Sequence, residues 1–197
     1  MKKTSSGKSI FTSVWLCVAI GFVLSGCYHL GYADRKMVGD AKLVSIPMFK
    51  NITSEPGIEV AFTTQLIQEF NRSDLVKVVD GPSSDVQIQG TLTSLEYLAG
   101  GIKTSDPDVN LMPLGTVLAS EYRILLLVSV QVVRTSNKEV IWSTEFSGEK
   151  TYPAPQVTLA GVNSVNPLYN LSARRQNIQL LAVDMMSALR SRLTENF

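Results

Sequence analysis

Very few residues of this 197-residue sequence have the type and spacing that catalysis or metal binding requires. The single histidine, His29, has no second histidine to join it, whereas a zinc site or a Ser-His pair needs a histidine placed among further partners. Asp106 and Asp108 flank Pro107, which indicates a solvated turn rather than an acid–base pair. No glycine-rich phosphate loop, Gly-x-Ser-x-Gly elbow or His-Glu-x-x-His motif occurs. The sequence therefore predicts a protein that is not an enzyme and that uses no metal or cofactor.

The two cysteines differ in their surroundings. Cys27 follows an apolar run, Ile10–Leu24, and the small residues Ser25 and Gly26, and basic residues precede the run. This arrangement resembles the lipobox of bacterial lipoproteins, in which diacylglycerol is joined to the thiol before the signal peptide is cleaved. The alternative is a transmembrane anchor, but the apolar run is shorter than the roughly 20 residues that span a bilayer. The sequence therefore predicts a signal peptide over residues 1–26 and a lipid on Cys27 that anchors the chain to a membrane.

Cleavage changes the charge and the thiol chemistry of the chain. Cys17 is removed with the signal peptide and acylation consumes the thiol of Cys27, so no intramolecular disulfide is expected. Three lysines are removed as well, which takes the formal net charge from +1 to about −2. Nucleic-acid-binding proteins usually carry a dense basic field, so this charge excludes a nucleic-acid partner.

Hydrophobic periodicity places two helices and several strands. The first helix has an apolar side chain at every fourth position, at Ile58, Phe62, Leu66 and Phe70. The second is predicted over residues 173–193, with Ser172 as its N-cap. Alternation of apolar and polar residues predicts a strand over 86–92, a bulge near Ser94 and a strand over 121–134. A turn at residues 136–137 leads to a final strand whose predicted core-facing side chains are Val140, Trp142 and Phe146.

Shorter strands are predicted at residues 42–48 and 75–79. Two amphipathic helices and a sheet with one strongly apolar face predict a two-layer α/β sandwich. About 170 mature residues suffice for one core, so we expect a lipidated tether over 27–41 and a single domain over 42–197. Two long loops are expected near 99–119 and 153–171, and loops of that length are usually functional or disordered.

Several phrases of the sequence resemble the lipopolysaccharide-assembly lipoprotein family, LptE. They are Cys27–Leu30, the longer run Ile46–Gly57 (IPMFKNITSEPG) with the helix after it, Val78–Asp80, the strand that begins Tyr122-Arg123, and the hairpin at Val140–Trp142. The chain departs from the family where Tyr28 follows the cysteine and Gly31 follows Leu30, since the family often has glycine and arginine there.

The resemblance implies two helices packed on one face of a mixed, roughly four-stranded sheet. It also implies an outer-membrane lipoprotein that faces the periplasm, binds and helps fold a large β-barrel translocon of the LptD type, and contacts lipopolysaccharide. The run from Ile46 to Thr53 is also similar to other envelope lipoproteins, of the curli-secretion or peptidoglycan-synthase-activator kind. A non-enzymatic lipoprotein that binds such a partner is therefore the alternative.

Four apolar residues are candidates for partner contact. Leu125 and Leu127 lie on the second face of the strand over 121–134, and Met112 and Leu114 lie in the first long loop. A sheet face in water is usually more polar than this. The alternatives are ordinary scattered exposure for the strand leucines and folding back onto the core for the loop.

Three basic residues are candidates for contact with lipopolysaccharide phosphates, because charge-assisted bonds to phosphate are strong. They are Lys103, Arg123 and Lys150, at loops and strand ends. Arg174 and Arg175, near the start of the second helix, indicate either an anion site or ordinary solvated arginines. For each of these cations the solvated surface residue is the alternative.

Overall fold

The structure, a computed structural model, describes residues 36–101, 119, 121–154 and 167–194, the first three positions of the last range by backbone alone. Two helices and six strands follow one another along the chain. They are β1 (Leu43–Ser45), β2 (Lys50–Asn51), α1 (Ile58–Ser73), β3 (Lys77–Val78), β4 (Val86–Gly100), β5 (Glu121–Arg134), β6 (Val140–Pro153) and α2 (Pro167–Thr194). Short 3₁₀ turns occur at Val38–Asp40 and Gly81–Ser83.

The six strands form one mixed sheet. Its order is β3-β1-β4-β5-β6, and β2 also pairs with β4, further along the edge that β1 occupies. β5 pairs antiparallel with β4 on one side and with β6 on the other. β1 pairs parallel with both β3 and β4, and β2 pairs parallel with β4. The predicted two-layer α/β sandwich with a mixed sheet is thus confirmed, with six strands in place of roughly four.

One strand that was not predicted, β2, follows directly after the strand predicted over 42–48. Pro47 has no backbone N–H to donate to a ladder, and the pairing with β4 stops after Ser45 and resumes at Lys50. Between these points the Phe49 ring folds onto Gly90 of β4. The predicted strand over 42–48 therefore corresponds to β1 alone, and β2 is an additional short strand beyond the predicted range.

The core lies between one face of the sheet and the two helices. The alternation in β5 buries every second residue, and the helices contribute the predicted apolar stripes. The buried members of β5 on this face are Ile124, Leu126, Val128, Val130 and Val132. The bulge is confirmed, since the β4–β5 register shifts between Leu92 and Ser94.

Two details of the sequence prediction are wrong. The second helix begins at Pro167 rather than Ala173, because the fixed φ of proline suits the first turn of a helix. Val140 is 50% exposed rather than facing the core. A register shift in the β5–β6 ladder pairs Val140 with Val133, whereas Trp142 pairs with the buried Val132. Trp142 is half-buried and Phe146 is buried on the core side, as predicted.

The packed region extends upstream of residue 42. Met37 and Ala41 are buried, and the turn between them lies against Ile141 of β6. The predicted signal peptide and Cys27 lie outside the described residues. Within the described part of the chain, neither helix is long and apolar enough to cross a membrane.

Replacement of Gly90 by alanine is expected to destabilise the fold. An added Cβ would clash with the Phe49 ring, which is itself buried, so the ring would have to move. Overpacking of this kind costs about 1–3 kcal/mol. Urea denaturation of Gly90→Ala and of the double variant Gly90→Ala/Phe49→Leu measures the effect. Leucine at position 49 leaves more room for the added Cβ, so the double variant should recover part of the lost free energy of unfolding. An unchanged urea midpoint for Gly90→Ala alone would contradict the close packing of Phe49 on Gly90.

Candidate functional site

The run Asn51–Gly57 folds into a loop that is held together by its own polar side chains. The amide oxygen of Asn51 accepts bonds from the Thr53 backbone N–H at 2.9 Å and from the Thr53 hydroxyl at 2.8 Å. The amide nitrogen of Asn51 donates to the Glu55 carbonyl at 2.8 Å and to the Glu59 carboxylate at 2.7 Å. The pKa of the Glu59 carboxyl is lowered by its own backbone N–H and by Asn51. These bonds fix the backbone that carries Glu55.

Glu55 joins this loop to the sheet and to α2. Its carboxylate accepts a bond from the Tyr97 hydroxyl at 3.2 Å and forms an ion pair with Arg174 at 3.2 Å. The Arg174 guanidinium also lies over the Tyr97 ring, 4.9 Å from its centroid. Three segments distant in sequence therefore converge on one charged pair.

A cavity of about 440 Å³ lies beside this pair, where β4 ends, β5 begins and β6 ends. We call it the tyrosine–arginine pocket. The rings of Tyr122 and Tyr152 lie 5.7 Å apart, and the Tyr152 hydroxyl donates to Asn170 at 3.4 Å. Its lining residues are Tyr97, Tyr122, Tyr152, Asn170, Leu171 and Arg174.

Tyr97 and Tyr152 have raised pKa values, so their hydroxyl groups stay protonated. Burial raises the pKa of Tyr97, and the nearby Glu55 carboxylate raises it further. Burial also raises the pKa of Tyr152, although the Arg174 charge opposes this shift. Both hydroxyls therefore stay hydrogen-bond donors at neutral pH and well above it.

The sheet face opposite the helices carries the two strand leucines. Leu125 and Leu127 are half-buried and pair laterally with polar residues of β4 and β6. Their neighbours are Ser94, Glu96, Ser147 and Glu149. We call this surface the outer face. Neither described helix packs on it, so the two leucines form an apolar spot within a polar sheet surface.

The structure does not bring Arg123 and Lys150 together. Arg123 lies on the outer face and forms an ion pair with Glu149 at 3.0 Å. Lys150 lies on the core side of β6 and pairs with Asp184 of α2 at 2.8 Å. The other predicted contacts, Met112, Leu114 and Lys103, lie outside the described residues. Among the residues that the structure describes, no cluster of three or more metal-ligating side chains occurs.

Sequence reasoning did not find the tyrosine–arginine pocket. Tyr122 belongs to the strand predicted over 121–134, and for Arg174 the sequence offers two interpretations, an anion site or a solvated residue. The partner of Arg174 is Glu55, 119 positions away, so no local spacing could have joined them. The available signal was the polar run Asn51–Gly57, whose side chains bond to one another.

The fold is that of a small two-layer α/β protein with a sheet face that neither described helix covers and a pocket at one end of the sheet. Its sequence matches the family described as lipopolysaccharide-assembly, LptE, over residues 41–193. The chain belongs to the LptE family, which is a family of non-enzymatic envelope lipoproteins. A search among curated proteins finds no relative of this chain.

Several solved structures are similar to this chain at low sequence identity. One is a homolog of a neuraminyllactose-binding hemagglutinin from Helicobacter pylori, 12% identical, with 85% of this chain and 93% of that chain covered at a TM-score of 0.51. A minor lipoprotein from Acinetobacter baumannii is 10% identical, with 78% and 90% covered and a TM-score of 0.44. A PelC dodecamer from Paraburkholderia phytofirmans is 12% identical, with 78% and 89% covered and a TM-score of 0.43.

Proposed function

We propose that this chain is an outer-membrane lipoprotein that binds an LptD-type β-barrel, helps it assemble and takes part in lipopolysaccharide transport to the cell surface. The observation that carries the proposal is the family match, which spans almost all of the described domain. The lipid on Cys27 would hold the domain at the membrane with its folded part in the periplasm. Tyr28 supports sorting to the outer membrane, since an aspartate after the cysteine commonly retains lipoproteins in the inner membrane.

The outer face is the surface proposed for the barrel. Both helices already cover the core side of the sheet, so their apolar stripes are buried and unavailable to a partner. Leu125 and Leu127 instead lie on the side that neither helix covers. A protein enclosed by a barrel wall can carry such an apolar spot without aggregating, because the wall shields it from other molecules. Met112 and Leu114 are proposed as further contacts from the first long loop.

Lipopolysaccharide contact is proposed for Lys103, Arg123 and Lys150. Phosphate groups bind lysine and arginine through strong, charge-assisted bonds. Arg123 and Lys150 already have carboxylate partners, and both partners are solvent-exposed, so their ion pairs are weak and can be exchanged for a phosphate. Because the two cations lie on opposite sides of the sheet, each would serve a separate contact.

Charging the outer face is expected to weaken barrel recovery while the fold persists. Leu125→Glu would place a carboxylate between Glu96 and Glu149, and Leu127→Glu would place a second one between Ser94 and Ser147, where an apolar contact is proposed. The lipidated double variant should co-purify with less of the β-barrel from detergent-solubilised envelopes, and cells should become more sensitive to bulky antibiotics. Circular dichroism and urea denaturation of the same sample report whether the fold is kept.

The matched control is Leu180→Glu plus Val183→Glu. It places two charges on α2, at side chains that are 44% and 40% exposed. This variant should recover the barrel as the wild type does. Full recovery with the folded outer-face variant would show that the outer face is not the interface. If the wild type itself recovers no β-barrel, the alternative holds, a lipoprotein that binds a secretion subunit or a peptidoglycan synthase.

A further inference from the structure

We propose that the tyrosine–arginine pocket binds an uncharged saccharide ring. The pocket is a different surface from the outer face, so the proposal does not depend on barrel binding. At about 440 Å³ its volume lies within the range of roughly 300–1,000 Å³ that is usual for small-ligand sites. Aromatic walls combined with a few convergent polar groups are the usual lining of such sites.

The charges of the pocket favour a neutral ligand. Arg174 is the cation that lines the pocket, and Glu55 is paired with it at 3.2 Å. The Glu55 side chain is only 16% exposed, so this ion pair is shielded from water and is not easily exchanged for another anion. A phosphate placed beside the pair would be attracted by one charge and repelled by the other. A neutral ligand meets no such opposition.

The polar groups that remain in the pocket suit hydroxyl groups. The Nε atom of Arg174 is buried and finds no acceptor among the described residues. An unpartnered buried donor is costly, so an oxygen atom of a ligand would be bound there at a gain. Asn170 and Tyr152 also line the pocket, and because the Tyr152 hydroxyl donates to the Asn170 amide oxygen, the Asn170 amide N–H groups are the donors and the Tyr152 hydroxyl oxygen is the acceptor that a ligand could use. Sugar hydroxyls both donate and accept hydrogen bonds, which matches this mixture.

The aromatic groups suit the faces of a sugar ring. Tyr122 is half-buried in the pocket wall beside the buried Tyr152, so part of its ring is available to a ligand. The face of an aromatic ring is electron-rich and attracts polarised C–H groups, which a saccharide ring presents in the direction perpendicular to its hydroxyls. An acyl chain would also contact the rings, but it would leave the buried Nε donor of Arg174 without an acceptor.

Saturation-transfer NMR and calorimetric titration of the full lipidated protein in detergent test the proposal. The probes are a neutral hexose oligosaccharide from the outer core of lipopolysaccharide, a neutral disaccharide of N-acetylglucosamine that stands for the peptidoglycan glycan strand, and inorganic phosphate. Arg174→Lys keeps the charge beside Glu55 but removes the Nε donor, and Tyr122→Leu removes an aromatic face. The matched control is Arg192→Lys, because Arg192 lies over the Phe146 ring at 5.2 Å, away from the pocket.

Binding of one of the two saccharides by the wild type and by Arg192→Lys is expected, with a loss of about tenfold in Arg174→Lys and in Tyr122→Leu. Whichever saccharide binds more tightly identifies the source of the ligand. The proposal is overturned if neither saccharide binds, if folded pocket variants bind as the wild type does, or if phosphate alone binds. Barrel recovery is measured on the same variants and should be unchanged, which keeps a failure here distinct from a failure of the outer-face interface.

Discussion

Phe62→Ala is expected to lower the free energy of unfolding by about 3–5 kcal/mol, the cost of deleting a buried aromatic side chain. Phe62 is completely buried in α1, where it packs in one stripe with Leu66 and Phe70. With total stabilities of roughly 5–15 kcal/mol, a loss of that size removes a large part of the margin. Urea denaturation of the mature chain gives the value directly.

A control for this prediction lies on the same helix. Val60 is 50% exposed, and Val60→Ala should change the free energy of unfolding by no more than about 0.5 kcal/mol. Equal, small effects of the two substitutions would mean that α1 does not pack on the sheet through the stripe that contains Phe62.

Cys27→Ala is expected to abolish lipid attachment completely and to leave the unprocessed precursor. The thiol is the group that accepts diacylglycerol, and alanine offers no nucleophile in its place. Metabolic labelling with a fatty-acid probe, followed by gel electrophoresis of the labelled chain, measures both effects. The wild type should carry the label and fractionate with the outer membrane.

Cys17→Ala is the matched control, because Cys17 is the other cysteine of the sequence and lies inside the predicted signal peptide. Labelling and processing of Cys17→Ala should equal those of the wild type. Undiminished labelling of Cys27→Ala would place the lipid elsewhere and remove the basis for an anchored domain. A clean inner-membrane band for the wild type would contradict the proposed sorting.

Local pattern was sufficient for the long elements. In β5 every second residue from Ile124 to Val132 is buried, and the predicted range 121–134 matches the strand. The stripe in α1 likewise recurs at helical spacing and is buried throughout. Both signals are strong because one side of each element faces a large core, which makes burial strictly periodic.

Local pattern was insufficient where pairing between strands shifts. Val140 looked equivalent to Trp142, yet the irregularity in the β5–β6 ladder turns it outward. A shift of one residue reverses every side chain that precedes it, and nothing in the spacing of Val140 records the shift. The interruption between β1 and β2 also depends on a contact with another strand. The Phe49 ring, which lies just before β2, packs against Gly90 of β4.

The candidate sites also differ in whether their residues are contiguous in sequence or meet only in the folded chain. The outer position of Leu125 and Leu127 follows from the alternation within one strand, and lipidation at Cys27 stays a prediction from contiguous residues. The tyrosine–arginine pocket was decided only by tertiary structure, because Glu55, Tyr97 and Arg174 meet through the crossing of a loop, a strand and a helix. A charge pair and a cavity wall are properties of distances in space. Sequence periodicity records which side of an element is apolar, but not which distant side chain lies opposite.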